Sequence, residues 1–419
     1  MKRFPDNWDL KPLSGVTLPI SKTNPVATGR SNIRYVDIGS IAGPTRHIPE
    51  LPPIESATAP SRARQVIQAG DTLFSTVRPY LEKIAFVGTA LEGEFASTGF
   101  SVLRPGNELL PEYLYYYTTS KMLLDQVLPL QKGVSYPAVL DREVKAAKIP
   151  VPPLSKQRHI VEILEDHLSR LDAATAYTSS ARRRLTRLTQ AARQKAVDAP
   201  ASSLVPLAEL VERIETGKSL SGTTPASDDE WGIIKVSAMT WGAFRPEENK
   251  RIPDSLAHPA YEIREGDLLV SRANTSAYVG ASVLVGPVRP RLLLSDKSLR
   301  VVPRSGVDAR WLNEVLLAPR TRQQVSALST GTKESMRNIS QKALLSVAVP
   351  NTPPAEQLDV MAATLTAADA TQVLSSTLDR TAVRAQSLRR ALLSAAFSGR
   401  LTGAPSDLDR IEELAEVDA

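Results

Sequence analysis

The sequence repeats itself at a distance of about half its length, and this repeat constrains the architecture more than any other feature. Residues 149–153 (IPVPP) are echoed by residues 349–353 (VPNTP), and a glutamine follows each at the same distance, Gln157 and Gln357. Residues 70–75 (GDTLFS) are likewise echoed by residues 266–271 (GDLLVS). In a chain of 419 residues, one long repeat predicts a tandem duplication with at least two domains, not a solenoid of short units.

Each copy begins with a part that is rich in glycine, proline and short β-branched runs. Residues 34–38 (RYVDI), 84–88 (IAFVG) and 233–236 (IIKV) have the composition of strands joined by turns. Helix is expected around residues 111–128 and 309–328. This mixture predicts an α+β globular domain in each copy.

Each copy ends in a long helix of some 45 residues, about 65 Å at the usual rise per residue. Residues 154–199 contain neither glycine nor proline. Apolar or small residues recur in steps of three and four, the spacing of a coiled-coil seam. The predicted seam of the first helix is Ile160, Leu164, His167, Leu171, Ala174, Ala181, Leu185, Leu188 and Ala192. That of the second is Leu358, Met361, Leu365, Ala368, Leu374, Leu378, Thr381, Ala385, Leu388, Leu392 and Ala395.

The ends of the second helix carry their own signals. We expect Thr352 to cap its start and Gly399 to close it. An ordinary amphipathic helix packed on its own domain is the alternative to a coiled coil. Because average helices have only about 11–12 residues, two equally long helices favour packing against each other.

The predicted fold is therefore α+β, with two similar globular domains in tandem, separated by two long helices that form an antiparallel coiled coil. The expected boundaries are 1–150 and 201–350 for the domains, 151–200 and 351–402 for the helices, and 403–419 for a solvated acidic tail.

The composition indicates a protein of the cytoplasm that binds a polyanion. There is no cysteine, and no apolar run has the length of a membrane span or, near Met1, of a secretory signal. The formal charge of +6 favours DNA or RNA as a partner.

Several catalytic motifs are present only as fragments. Residues 217–219 (GKS) end like a phosphate-binding loop, but Glu212 stands where that loop needs its first glycine. Residues 351–354 (NTPP) are an interrupted version of the Asn-Pro-Pro motif of DNA amino-methyltransferases. The four histidines have no metal-ligand spacing. Glu92 and Glu94 lie in loop-like sequence and are expected to be solvated. We therefore predict no catalytic residues, no metal site and no cofactor in this chain.

Four segments together resemble one known family. They are residues 150–161 (PVPPLSKQRHIV), 386–401 (QSLRRALLSAAFSGRL), 70–80 (GDTLFSTVRPY) and 266–272 (GDLLVSR). Taken in their order along the chain, they resemble the specificity subunit of type I restriction–modification systems, over essentially the whole chain. The second copy departs from the pattern at Thr352 and Leu358.

The resemblance implies a non-catalytic subunit whose two target-recognition domains read the two halves of a bipartite site in double-stranded DNA. It also implies two methyltransferase (modification) subunits that hold S-adenosylmethionine, and restriction/translocase subunits that use ATP and Mg²⁺. Two other classes stay open: a DNA-binding or structural adaptor unconnected with modification, and an enzyme with an unrecognised motif. Recovery of a methyltransferase subunit in a pull-down would favour the first.

Candidate DNA contacts are polar or aromatic residues that follow a predicted strand or lie in a loop after a glycine. In the first copy they are Arg78 and Tyr80, with Lys132, Ser135 and Tyr136 in a second loop. In the second copy they are Arg272, Asn274 and Thr275, with Lys333, Ser335, Arg337 and Asn338 in a second loop. A solvated loop is the alternative for each residue taken singly.

Overall fold

The computed structural model describes residues 5, 8–42, 47–133, 136–199, 203–222, 224–240, 242–333 and 336–401. The chain divides into two compact units, one formed by Met1–Ser179 with Asp379–Ala419 and the other by Ser180–Leu378. We call them unit 1 and unit 2. The assignment of 1–150 and 201–350 as recognition domains stays a prediction, and the acidic tail 403–419 lies outside the described residues.

Unit 1 combines short strands with helices. Its strands are β1 (Asp9–Pro12), β2 (Thr17–Leu18), β3 (Asn32–Ile33), β4 (Tyr35–Val36), β5 (Ile54–Glu55), β6 (Ala63–Val66), β7 (Thr72–Ser75), β8 (Ile84–Phe86), β9 (Phe95–Ser97), β10 (Phe100–Pro105) and β11 (Lys148–Val151). Its helices are α1 (Leu13–Val16), α2 (Pro111–Thr118), α3 (Lys121–Val127), α4 (Asp141–Ala146) and the first part of α5 (Leu154–Asp198).

Unit 2 contains the end of α5 and, like unit 1, combines short strands with helices. Its strands are β12 (Leu204–Pro206), β13 (Val211–Thr216), β14 (Gly232–Ile234), β15 (Asn249–Arg251), β16 (Leu268–Ser271), β17 (Ala273–Asn274), β18 (Ser282–Leu284), β19 (Leu292–Leu293), β20 (Ser298–Pro303), β21 (Thr330–Lys333), β22 (Met336–Asn338) and β23 (Ala348–Pro350). Its helices are α6 (Ala309–Leu317), α7 (Pro319–Leu328), α8 (Gln341–Leu345) and the first part of α9 (Pro354–Phe397).

The sequence repeat is also a structural repeat. Unit 1 has a four-stranded sheet of order β2-β10-β7-β8, and unit 2 has the matching order β13-β20-β16-β18. Each unit also has a separate antiparallel strand pair, β1 with β11 in unit 1 and β12 with β23 in unit 2. The second strand of each pair leads into a long helix. Arg104 pairs with Asp71 at 2.8 Å, as Arg300 does with Asp267 at 2.9 Å. The predicted α+β class with two long helices is confirmed.

The core of unit 1 joins its small helices to the two long ones. Tyr113 and Tyr117 of α2 meet the ring of Phe397, near the end of α9, with centroids 5.2 and 5.3 Å apart. Their hydroxyls donate to the carbonyls of Pro150 and Lys148, and burial raises the pKa of both phenols. Trp311 of α6, fully buried, occupies the matching place in the core of unit 2.

A buried glutamine attaches each long helix to its unit. The Gln157 amide accepts the N–H of Leu110 at 2.9 Å and donates to the carbonyls of Glu108 and Pro152. The Gln357 amide does the same with Asp308, Gly306 and Thr352.

In unit 1 the two long helices run in opposite directions. The first turn of α5 contacts Leu110, the residue just before α2, through Gln157, and the last turn of α9 contacts Tyr113 of α2 through Phe397. Further from α2, Asp172 of α5 forms an ion pair with Arg389 of α9. In unit 2, the end of α5 is attached to α6 and α7 by the pairs Arg193–Glu314 and Asp198–Arg320.

The predicted seam is correct in register for much of α5 and wrong for the first half of α9. Ile160 and Leu164 are buried as expected, but Ala174 is exposed and Leu188 is 65% exposed. In α9, Leu358, Leu365 and Leu374 are 59%, 62% and 57% exposed, whereas the buried side of the helix holds Gln357, Val360 and Thr364. The buried face of α9 differs from the predicted one because Gln357 makes three buried hydrogen bonds. These bonds place Gln357, and not Leu358, on the buried side, so the buried positions come one residue earlier than the leucines suggest.

The two predicted ends of α9 have different outcomes. Thr352 is no cap: the helix begins at Pro354, and the buried Thr352 hydroxyl has no partner among the described residues. The prediction for Gly399 is confirmed. It adopts φ +74°, and the Arg400 N–H reaches back to the Ala395 carbonyl, as in a Schellman end.

Removing either buried glutamine should destabilise its unit. Gln157→Ala or Gln357→Ala leaves buried backbone groups without partners, and we expect a loss of about 2–3 kcal/mol in the free energy of unfolding. Chemical denaturation measures it. The controls are Gln190→Ala and Gln372→Ala, which change exposed glutamines on the same two helices. Equal losses in variant and control would contradict the assigned role.

Candidate nucleic-acid interface

In unit 1 the structure brings the two predicted contact loops together. Val77, next to Arg78, forms a β-bridge with Ala138, and Ala138 also bridges Lys132. The Val139 N–H donates to the Thr76 carbonyl at 2.9 Å. Two segments some fifty residues apart therefore present their side chains in one place.

Arg78 and Tyr136 form the centre of this surface. The Arg78 guanidinium lies 4.6 Å from the centroid of the Tyr136 ring, and its backbone N–H donates to the Pro137 carbonyl at 2.7 Å. Arg78 is in the left-handed region at φ +47°, which is costly for a residue with a side chain. Tyr136 and Tyr80 are 70% and 49% exposed. The surface therefore places the Arg78 guanidinium, fixed in position, beside two exposed aromatic rings.

In unit 2 the corresponding loops meet through the corresponding bonds. Ala273 pairs with Asn338, and Asn338 also pairs with Thr330. The Ile339 N–H donates to the Arg272 carbonyl at 3.0 Å. These match the Val77, Ala138 and Lys132 bridges of unit 1, so each unit builds one candidate surface in the same way.

The side chains at the two surfaces differ. Asn274 stands at the position of Arg78, and its amide contacts Ser271 and the Thr275 N–H. Arg337 donates to the carbonyls of Ser329 and Gly331, so it braces the β21–β22 hairpin. Asn338 and Thr275 are exposed. Ser135 and Ser335 lie outside the described residues, as does the side chain of Lys333.

Arg322 of α7 is a residue that sequence reasoning missed. Its guanidinium donates to the Ala277 carbonyl at 3.3 Å, below the loop that follows Thr275. Burial lowers its pKa, and Nη1 is buried without a hydrogen-bond partner among the described residues. Val325, one turn on, packs so tightly on Gly280 that a Cβ there would lie 2.1 Å away. No sequence signal marks Arg322, since it has the pattern of an ordinary helical arginine.

The expectation that Glu92 and Glu94 are solvated is wrong for Glu94. Glu94 is buried, pairs with Arg30 at 2.7 Å and accepts the backbone N–H of Arg34 at 2.7 Å. Glu92 accepts the N–H of Ala69. Both carboxylates hold loops of unit 1 in place.

Within the residues that the structure describes, no cluster of three or more His, Asp or Glu side chains is arranged to hold a metal ion. Within the same residues, no helix has the length and apolar character needed to cross a membrane.

Comparison with known proteins shows which family this chain resembles. Residues 33–178 match the family model described as the type I restriction modification DNA specificity domain. A chain in a solved structure, described as the structural basis of complex assembly and conformational transition of the type I R-M system, has a TM-score of 0.72 and 28% identity. The similarity covers 95% of this chain and 100% of that one. Residues 33–178 therefore carry a type I restriction modification DNA specificity domain, and the chain as a whole is similar to a chain of a type I R-M system.

Two curated specificity subunits from Escherichia coli are also similar. That of the type I restriction enzyme EcoEI is 34% identical over 159 residues, which are 37% of this chain and 27% of that subunit. That of EcoKI, from strain K12, is 22% identical over 315 residues, which are 72% of this chain and 68% of that subunit. The described candidate contacts of unit 1, from Arg78 to Tyr136, lie inside the segment matched by the specificity-domain model.

Arg78 offers a direct test of base contact. If its guanidinium pairs with a base edge, Arg78→Ala should weaken binding to the recognised site by about 1–3 kcal/mol and leave binding to random DNA nearly unchanged. A phosphate contact would weaken both and lower the salt dependence. Fluorescence anisotropy with both duplexes separates these results. Lys121→Ala, an exposed cation of unit 1 outside the two loops, is the control. Unchanged affinity for both duplexes would show that Arg78 is a solvated loop residue without a DNA contact.

Proposed function

We propose that this chain is the DNA sequence-specificity subunit of a type I restriction–modification complex. It reads a bipartite site in double-stranded DNA, with one half-site for each recognition domain. It docks two methyltransferase subunits and the restriction/translocase subunits and carries out no catalysis itself. S-adenosylmethionine, ATP and Mg²⁺ belong to those partners, and the complex works in the cytoplasm, where its DNA lies.

One observation carries the proposal. Each unit joins two distant loops by the same set of backbone bonds, and in each the joined loops present polar side chains to solvent. The scaffold is repeated but the presented residues are not, since Arg78 and Asn274 occupy equivalent positions. Equivalent frames with unlike side chains suit a protein that reads two unlike half-sites.

Exposed apolar side chains on α9 support the docking of partner subunits. Leu358, Leu365 and Val373 are 59%, 62% and 69% exposed and recur at intervals of seven and eight residues. A stripe of this kind on a helix is costly in water and suits the apolar face of a partner helix.

Methylome sequencing tests the proposal. A host that expresses this chain with its modification subunits should carry adenine methylation at a bipartite motif, and deletion of the gene for this chain should abolish it. The same deletion complemented by the wild-type chain is the control. Methylation at the same motif in the deletion strain would overturn the proposal.

Exchange of one recognition domain should change one half-site only. Replacement of residues 1–150 by the corresponding region of another family member should alter one half of the methylated motif and keep the other, because each unit has its own pair of loops. Methylome sequencing of the chimaera gives both halves at once. A change in both halves would show that the two domains do not read independently.

The purified chain should show no methyltransferase, nuclease or ATPase turnover when assayed alone. The reason is that its sequence contains the relevant motifs only as fragments. Radiolabelled methyl transfer, DNA cleavage and phosphate release measure the three activities. Turnover that a point substitution in this chain abolishes would contradict the prediction.

A further inference from the structure

Three chain segments of unit 2 bring basic residues to one end of its four-stranded sheet. Lys218 follows the end of β13, Arg272 follows the end of β16, and Lys297 directly precedes β20. We infer that Lys218, Arg272 and Lys297 form a cluster that binds the phosphodiester backbone of DNA, and we call it the phosphate cluster. The inference rests on the proposed function and deepens it, since it assigns contacts by type.

The turn at residues 295–298 fixes the positions of all three. The Arg272 N–H donates to the Lys297 carbonyl at 2.9 Å, and the Arg272 guanidinium reaches the Asp296 carbonyl at 3.5 Å. The Asp296 N–H donates to the Lys218 carbonyl at 3.2 Å. Backbone bonds therefore hold the three residues beside one another.

Buried hydroxyls and a glycine make this turn rigid. The Ser298 hydroxyl bonds the Ser295 N–H and carbonyl, both at 3.0 Å, inside the unit. Gly217 lies so close to the segment after β19 that a Cβ would be 1.8 Å from the Leu294 carbonyl oxygen. Only glycine permits that approach, which places Lys218 in a β-bridge with Ser295. Residues 217–219, which resemble part of a phosphate-binding loop, thus lie beside the turn at residues 295–298.

The phosphate cluster has no neutralising partner within the described residues. Among the residues that the structure describes, no carboxylate lies within 4.0 Å of the side-chain nitrogens of Lys218, Arg272 or Lys297, even though Asp296 belongs to the same turn. Other cations of unit 2 are paired, such as Arg300 with Asp267 and Arg193 with Glu314. Positive charges held together without counterions attract a polyanion.

Unit 1 has the equivalent backbone bond without the same charges. The Thr76 N–H donates to the Gly99 carbonyl, as the Arg272 N–H does to that of Lys297. Thr76 and Gly99 are neutral, so the phosphate cluster is a property of unit 2. Lysines are flexible point charges, which suit phosphates better than the directional hydrogen bonds of base edges.

Salt titration of DNA binding tests the phosphate cluster. The full chain, assembled with its modification subunits, is measured on a 30-base-pair random duplex and on a duplex that carries the methylated motif. Lys218→Gln and Lys297→Gln should each lower the slope of log Kd against log salt by about 0.9, and the double variant by about 1.8. At 0.1 M salt this corresponds to a rise in Kd of roughly eightfold per lysine, on both duplexes.

Arg304→Gln is the matched control. Arg304 is exposed at the other end of β20, seven residues or about 23 Å from Lys297, so its slope should stay at the wild-type value. The melting temperature and the methylated motif should not change in any variant, since neither lysine side chain is used inside the unit. A double variant with the wild-type slope, or one with an altered motif, overturns the inference. If the wild-type complex itself does not prefer the motif duplex, the proposed function fails instead.

Discussion

The rest of the structure depends on one buried interaction, made once in each unit. Gln157 and Gln357 each bond three backbone groups across the junction between a sheet-containing unit and a long helix. A buried amide tolerates no free donor or acceptor, so the helix cannot rotate without losing those bonds. The direction in which each long helix leaves its unit, and the side of the helix that is buried, follow from this junction.

The interactions that hold each unit together are distinct from the side chains of its contact surface. The frame uses interactions that occur twice, such as Asp71–Arg104 with Asp267–Arg300. Gln126 and Gln324 likewise bond both backbone groups of Lys148 and Ala348. The loop bridges also occur twice, but the side chains they present do not. A protein built in this way can change what it reads without altering what holds it together.

Preorganisation is the physical advantage of the loop bridges. Arg78 occupies a left-handed conformation that costs about 1–2 kcal/mol in a residue with a side chain. The Arg78 N–H bond to Pro137 and the stacking of its guanidinium on Tyr136 offset that cost. A cation already held in place loses less conformational entropy when it binds. In unit 2 the turn of Ser295 and Ser298 likewise holds Lys218, Arg272 and Lys297 in place.

The sequence by itself determined the duplication, the α+β class, both long helices and the four loops, because repeats and periodicity are local patterns. It also pointed to the family through segments in order. The tertiary structure alone decided which side of α9 is buried, since Gln357 bonds Asp308, 49 residues away. It also decided that the loops of each unit meet, and that Lys218 and Lys297 lie beside Arg272. Those arrangements depend on backbone bonds between distant segments and on the close approach at Gly217, which no spacing of residue types along the chain reveals.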